Sequence, residues 1–349
     1  MTQIQTTELA AGYSISRLVK GGWQLAGDHG EVDRLGALAD MGAYYDAGIT
    51  AFDCADIYTG VEEMIGAFRR DYRQRHGAAS LQKLKVHTKF VPDLSLLASI
   101  DRKQVEQIID RSLVRLQAER LDLVQFHWWD YSMPRYLEVA AWLKSLQQAG
   151  KIDHLATTNF DTARTAELVE AGIALVSTQV QYSLLDQRPA RQFAKYAREH
   201  GIRLLCYGTV AGGFLSKRWL GMAEPDEISN RSLVKYKLII EDFGGWDLFQ
   251  ALLQTLDRIA VKHGVSIATI ATRWVLDQDN VAAAIVGVRR GDHLAEHTKV
   301  FDVSLDDDDR RAIAEIHAQS PGLEGDVYSL ERDIHGRHGR IMKYELNKN

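Results

Sequence analysis

Only two cysteines occur in 349 residues, Cys54 and Cys206, each inside an apolar, strand-like run. That scarcity argues against a disulfide-stapled scaffold and against a thiolate metal centre. Cys54, although next to Asp53, reads as a small core residue facing the far side of its strand. Proline is nearly as scarce: five residues are scattered singly, and no Pro-, Ser- or Gly-rich stretch marks an internal linker. Charge of one sign is not in excess, since 42 basic side chains face 47 acidic ones for a net charge of -5. That balance supplies no broad attraction for nucleic acid or an anionic membrane. Hydrophobic residues make up 46% of the chain, yet no run is long and apolar enough to cross a bilayer. The opening MTQIQTTELAAGYS lacks the basic-then-apolar order of a secretory signal, so a cytoplasmic protein is expected. Two signatures are also missing. No G-x-G-x-x-G follows the first strand, which disfavours a doubly wound nucleotide domain, and no G-x-S-x-G elbow supports a Ser-His-Asp hydrolase.

What is present is alternation. Short, nearly unalternating apolar runs at 18–23, 49–54, 85–90, 121–127, 152–157, 175–180, 202–207 and 281–287 read as strands covered on both sides. Between them, amphipathic stretches at 31–47, 61–75, 101–117, 134–149, 161–171, 187–200 and 266–278 read as helices. The clearest is DRKQVEQIIDRSLVRL, where Asp101 can cap the start and Val105, Ile108, Ile109, Leu113 and Leu116 form one stripe. Glycines in DAGIT, QAGKI, EAGIA and EHGIR suit helix ends that precede the next strand. Length alone permits one large domain or two. Eight strands in regular β-α order favour an α/β fold with a closed (β/α)8 TIM barrel, read as one domain over 1–349. Its core would span about 17–318, with an N-terminal hairpin or cover before it and an extension over 319–349 after it.

A long excursion lies between 208 and 265, ending in a helix at about 247–263. A loop of that length is a lid, a binding loop or a disordered insert, and its Trp219, Phe243 and Trp246 favour a lid or a packed surface. After a helix at 305–318 comes a polar tail whose His335 and His338 join His317 as a histidine group. No acidic or cysteine ligand completes a metal spacing there.

The chemistry gathers at strand ends. Asp53 and Tyr58 in FDCADIYTGVEEMIG, Lys89 in VHTKF and His127 in LDLVQFHWW stand at or just past the ends of apolar runs. Each alone has an ordinary explanation as packing, solvated charge or a core hydrogen bond; their joint placement asks for a barrel with an active rim. Hydride addition to a carbonyl builds negative charge on oxygen and needs a proton donor against it. Tyr58 can donate, a nearby Lys89 ammonium lowering its pKa from about 10. Asp53 would pair with Lys89, and His127 would hydrogen-bond the carbonyl oxygen. A metal site on Asp53 and His127 lacks a third ligand.

With these residues the chain resembles the aldo-keto reductases from GGWQ at 21–24 to AAIVGVRRGDHLAEH at 283–297, through FDCADIY with Glu62 or Glu63, TKF, QFHWW, TTNF, QVQYS and CYGTVAGGFL. The resemblance implies an eight-stranded barrel that holds NADPH, or less often NADH, in an extended pose and interconverts carbonyls and alcohols. It places the tetrad at Asp53, Tyr58, Lys89 and His127, and cofactor contacts at Gly22, Trp23, Asp53, Thr158, Asn159, Gln179, Tyr207, Gly208, Val210, Gly212, Leu215, Gly287, Glu296 and His297. An amide side chain offers the donor and acceptor that a carboxamide requires, and an aromatic face such as Tyr207 can cover a nicotinamide. Asn159 reads equally as a helix cap before DTARTAELV. The diphosphate has two candidate cradles, the GTVAGGFLSKR loop and the start of the short helix after strand eight. Arg289 and Arg290 can reach a 2'-phosphate. His293 stands where the family often has a phosphate-contacting arginine, and His297 replaces the usual adenine-side asparagine. NADPH is expected as cofactor, with NADH as the alternative.

Trp23, Tyr58, Phe90, His127, Trp128 and Trp246 are the expected substrate wall, Trp129 pointing outward, around an aldehyde or ketone with an apolar or planar part. Loop residues near Trp246 or the tail near Tyr328 would close it from above. The expected partner is a small carbonyl or alcohol, with no nucleic acid or membrane, and self-association stays open. Reaction direction also stays open. An oxidising sugar or alcohol dehydrogenase, or a coenzyme-bound subunit without catalysis, uses the same residues.

Overall fold

The computed structural model describes residues 3–26, 32–228, 230–288 and 293–347. Ten strands lie among them: β1 (Thr6–Ala10), β2 (Tyr13–Ser16), β3 (Leu18–Gly21), β4 (Ala51–Asp53), β5 (Lys85–Phe90), β6 (Leu121–Phe126), β7 (Ile152–Thr158), β8 (Leu175–Gln181), β9 (Arg203–Tyr207) and β10 (Val281–Gly287). The last eight pair in parallel in chain order, and β10 returns to β3, so the sheet closes into a barrel. The expected (β/α)8 barrel is the observed fold. Because helices cover the strands outside and side chains fill the inside, both faces are dry. The antiparallel β1–β2 hairpin plugs one end, where Leu9, Tyr13 and Ile15 pack with Val19, Leu123 and Leu205 from the barrel strands.

The helices are α1 (Arg34–Asp46), α2 (Val61–His76), α3 (Arg102–Leu116), α4 (Tyr136–Gln148), α5 (Thr162–Glu170), α6 (Phe193–Glu199), α7 (Arg231–Phe243), α8 (Gly245–His263), α9 (Ile267–Leu276), α10 (Leu294–Thr298), α11 (Asp307–His317) and α12 (Ser329–Arg332). In α3, Asp101 accepts from the Gln104 backbone while the Gln104 side chain accepts from the Asp101 backbone, and Val105, Ile108, Ile109 and Leu116 are buried. Helices α2 and α3 touch so closely that a Cβ on Gly66 would lie 2.1 Å from the Arg115 carbonyl oxygen. Gly66→Ala is therefore expected to destabilise by about 1–3 kcal/mol, although alanine in a helix otherwise gains about 1 kcal/mol over glycine. A denaturant midpoint that rises in this variant would contradict the close approach.

The segment between β9 and β10, expected as a loop up to about 247, holds helix α7. Asn230 caps α7 by accepting from the Ser232 and Leu233 amides, and Tyr236, Ile239, Ile240 and Phe243 are buried beneath it. Trp219 and Trp246 pack around Phe214, with ring centroids 4.7 and 6.0 Å apart from Phe214 to Trp219 and from Trp219 to Trp246. This part of the excursion is thus a packed surface.

The tail returns over the barrel rim. Arg188, buried, donates to Asp186 and to both oxygens of buried Glu331, at 2.9 and 3.0 Å for the latter. Arg332 donates to the carbonyls of Trp129 and Asn159 at 2.8 and 2.7 Å and stacks 3.8 Å above the Tyr131 ring. Further on, the Leu346 and Asn347 amides bind Asp93 in the loop after β5, each at 2.9 Å. The three histidines do not converge: His317 meets the Leu184 carbonyl, His338 meets Asp242, and the His335 amide meets Asp333.

Candidate active site

Side chains alternate along each strand, so β5 turns Lys89 into the barrel and β6 turns in Gln125, its direct neighbour in register. Asp53 ends β4, which pairs with β5 on the side away from β6. Its Oδ2 accepts from Lys89 Nζ at 2.7 Å, and its Oδ1 accepts from Gln179 Nε2 at 2.6 Å and Gln125 Nε2 at 2.9 Å. Lys89 also donates to the Cys54 carbonyl at 2.9 Å. Tyr58 stands in the turn before α2, its ring centroid 4.8 Å from Lys89 Nζ and 4.9 Å from the Trp23 ring. His127, just past β6, lays its ring edge-on to Trp129 at 4.3 Å.

Burial alone would lower the Lys89 pKa, but the Asp53 ion pair outweighs it and the ammonium is held above its ordinary range. At Tyr58 burial dominates and raises the pKa, with Lys89 pulling the other way. The expected net downward shift is therefore not what the geometry produces. Asp53 sits on the ammonium and offsets much of its field at the phenol. Burial, helped by Arg332, pushes His127 down to about 3, so its ring is neutral near pH 7. Nδ1 lies 3.0 Å from the Thr158 carbonyl oxygen, which can only accept. The hydrogen is thus assigned to Nδ1, and buried Nε2, with no partner among the described residues, presents a lone pair. A neutral His127 therefore accepts a hydrogen bond at the site where it was expected to donate one.

These groups border a cavity of about 610 Å³ at the C-terminal rim of the barrel. In this fold that rim is where active sites are built. Its walls include Trp23, Asp53, Tyr58, Lys89, His127, Thr158, Asn159, Gln179, Tyr207, Gly208, Val210, Gly212, Gly287, His293, Glu296 and His297. Over this span, residues 17–318, the sequence matches the profile of the Aldo/keto reductase family.

The chain belongs to the aldo/keto reductase family.

It is 27% identical over 308 residues to the aldo-keto reductase YhdN of Bacillus subtilis, covering 86% of this chain and 90% of that one. A putative aryl-alcohol dehydrogenase of Schizosaccharomyces pombe is 25% identical over 313 residues, covering 82% of this chain and 86% of its own. Among solved structures, the glycerol dehydrogenase from Gluconobacter oxydans superposes with a TM-score of 0.74 at 26% identity, covering 93% of this chain and 97% of its own. The protein is an enzyme of the aldo/keto reductase type, an NAD(P)H-dependent oxidoreductase that acts on carbonyls.

Five expected site residues lie elsewhere in this aldo/keto reductase. Phe90 and Trp128 follow inward-facing Lys89 and His127, so alternation sends both outward, where Phe90 meets Phe126 and Trp128 meets Phe126 and Tyr136. Trp129, one position on, points back into the cavity instead of outward. Trp246 donates to the Met222 carbonyl and packs on Phe214, away from the cavity. Leu215 is buried in the core under its loop, its amide bonded to the Val210 carbonyl at 3.2 Å. Gly22 lies behind the wall, where its amide donates to the Asp53 carbonyl at 2.8 Å and a Cβ would meet Val61 at 2.7 Å. Arg289, Arg290 and the approach to α10 lie outside the described residues.

The walls suit a nicotinamide dinucleotide. Gln179 uses its amide nitrogen on Asp53 and on Gln125 Oε1, which leaves its Oε1 to accept. Asn159 accepts the Tyr207 hydroxyl at Oδ1, which leaves its Nδ2 to donate. Together they present the two faces of a carboxamide contact. Asn159 is not a helix cap: Asp161 caps α5, and Asn159 holds a left-handed φ of 61°. The glycines after β9 leave bare backbone against the cavity, since a Cβ at Gly208 or Gly212 would lie 2.4 or 2.7 Å from Tyr236. At the far end, Glu296 is held by the Thr269 hydroxyl at 2.7 Å, and His297 meets the Tyr44 hydroxyl at 2.9 Å. Burial lowers the His297 pKa to about 4.

The site expected from the sequence pattern includes none of Gln125, Lys235 and Tyr236, and Tyr328 only as part of a tail that closes the pocket. Gln125 carried a signal, as the one polar side chain on the inward face of LDLVQF near its end. Lys235, Tyr236 and Tyr328 reach the cavity from α7 and from the tail, and only the folded arrangement brings them there.

Proposed function

We propose that this aldo/keto reductase reduces an aldehyde or ketone with NADPH, Tyr58 being the proton donor. The observation that carries this reading is the placement of Tyr58 beside the buried Lys89–Asp53 pair, at the base of one cavity and across from His127. When bound, the reduced nicotinamide supplies the hydride. Asp53 and Gln125 hold Lys89 and Gln179 in place, Asn159 and Gln179 orient the carboxamide, and Trp23 and Trp129 flank the space above Tyr58. Gly208, Val210, Gly212 and Gly287 line the diphosphate path, while Glu296 and His297 take the adenine end. Arg289 and Arg290, with His293, take the 2'-phosphate. The tail is part of the same working unit, and Tyr328 closes one side of the cavity. Among the described residues no helix is long and apolar enough to cross a membrane; we place the enzyme in the cytoplasm.

The test is a paired titration of coenzyme-free protein with NADPH and NADH, read through quenching of tryptophan fluorescence, since Trp23 and Trp129 line the cavity. NADPH is expected to bind at least about tenfold tighter, a difference of about 1.4 kcal/mol. Equal affinity would remove Arg289 and Arg290 from the 2'-phosphate, and failure of folded protein to bind either would remove the reading.

A second reading, alcohol oxidation, has its own support. The Nε2 lone pair of His127 is suited to accept the hydroxyl of an alcohol, and two of the similar proteins are named for alcohol and glycerol dehydrogenation. Rates measured in both directions on one alcohol–carbonyl pair at neutral pH decide between them.

A further inference from the structure

Lys235 extends from α7 into the cavity, and its ammonium stands among three tyrosine rings, 5.1 Å from the centroid of Tyr207, 5.6 Å from Tyr236 and 5.7 Å from Tyr328. Aromatic faces attract a cation but do not neutralise it. Among the described residues no carboxylate lies within ion-pair distance of its Nζ. The acid that acts on it most, Glu331, has both oxygens taken by Arg188. Burial lowers the pKa of Lys235, the direction expected of an ammonium that lacks a counter-ion.

Its position is specific. The Tyr328 ring that borders Lys235 is also 5.7 Å from the His127 ring, so the cation and the imidazole border the same ring. On the other side, Tyr207 borders Lys235 and donates to Asn159 at 3.0 Å. Among the described residues the Tyr328 hydroxyl donates to the Met342 sulfur alone, at 3.8 Å, and an anion is a stronger acceptor than that thioether.

We propose that Lys235 binds a carboxylate carried by the substrate, so that the preferred substrates are small aldehydes or ketones bearing an acid group about one ring's width from the carbonyl. The inference rests on the carbonyl-reductase reading above and names its substrate class. One ammonium with a phenol beside it matches a monoanion in charge and in donors.

The experiment has an arm that needs no turnover. NADP+-loaded protein is titrated with benzoate and with benzamide, followed by tryptophan fluorescence, for the wild type, Lys235→Met and Lys235→Arg. The wild type should prefer benzoate, and Lys235→Met should reduce that preference about 10- to 100-fold, with Lys235→Arg restoring most of it. In the kinetic arm, the ratio of kcat/KM for 4-carboxybenzaldehyde to that for its methyl ester should fall by the same factor in Lys235→Met. No preference in the wild type, or an unchanged preference in Lys235→Met, overturns the proposal. So does a loss of NADP+ affinity in Lys235→Met with both ratios unchanged, which assigns the ammonium to the cofactor diphosphate. If neither aldehyde is reduced while benzoate is preferred through Lys235, the anion site stands and the reductase reading fails.

Discussion

Replacing Tyr58 with phenylalanine is expected to lower carbonyl turnover by about 10²–10⁴-fold, the range for loss of a positioned general acid. NADPH affinity should stay close to that of the wild type. The substitution removes one oxygen and keeps the ring that packs 4.9 Å from Trp23 and 4.8 Å from Lys89 Nζ, so the loss reports proton transfer and not collapse of the wall. The pH dependence supplies a second check. Burial raises the Tyr58 pKa and Lys89 only moderates it, so the phenol keeps its proton through neutral pH. Reduction, which needs that proton, should be level there and decline only in alkali; alcohol oxidation, which needs the phenolate, should climb over the same range. Undiminished turnover in Tyr58→Phe would remove Tyr58 from the role, and a wild-type reduction rate that falls through neutral pH would overturn the raised pKa.

Arg188→Met should cost about 3–5 kcal/mol of stability, because cutting one partner out of a buried ion pair leaves the other uncompensated. Arg188 and Glu331 are both buried, and Asp186 shares the guanidinium. Denaturant unfolding of Arg188→Met, Glu331→Gln and the double variant isolates the pair; additive losses would show that the two side chains are not coupled. The same bond anchors the tail, since Glu331 lies between Tyr328 and Arg332. Substrate affinity should therefore fall in the variants along with stability. Acid should act in the same direction. Burial opposes ionisation of Glu331, yet Arg188 and Lys235 outweigh it and hold the carboxyl at about 2. A carboxyl depressed in the fold stabilises above its unfolded pKa, so this contribution is lost as pH falls from the ordinary range of about 4.3 toward 2.

Local rules decided a large part of this molecule. Apolar runs such as VAAAIV and ITAFDC need cover on both faces, and eight of them alternating with amphipathic helices leave few architectures besides the closed barrel. Asp101 and Asp161 cap helices through contacts three residues away, within reach of sequence pattern alone. Alternation was legible too, and applied strictly from His127 it would have turned Trp128 outward and Trp129 inward. Helix α7 had its signal in Asn230 followed by Leu233, Tyr236, Ile240 and Phe243, but it sat inside a segment read as a loop.

The amino-acid order therefore determined the barrel, the strand ends that carry Asp53, Lys89 and His127, and the residue types suited to carbonyl chemistry, because these follow from periodicity and from spacings of a few residues. The tertiary structure decided what depends on distant segments meeting. Asp53 receives Gln179 from 126 positions away, and Arg188 reaches Glu331 across 143. The sign of the Tyr58 pKa shift and the tautomer of His127 belong to the same class, since both turn on burial and on the Asp53 and Thr158 oxygens placed against them. No local pattern encodes a field summed over neighbours from several strands, and for that reason Lys235 and its tyrosine rings came into view only in the folded protein.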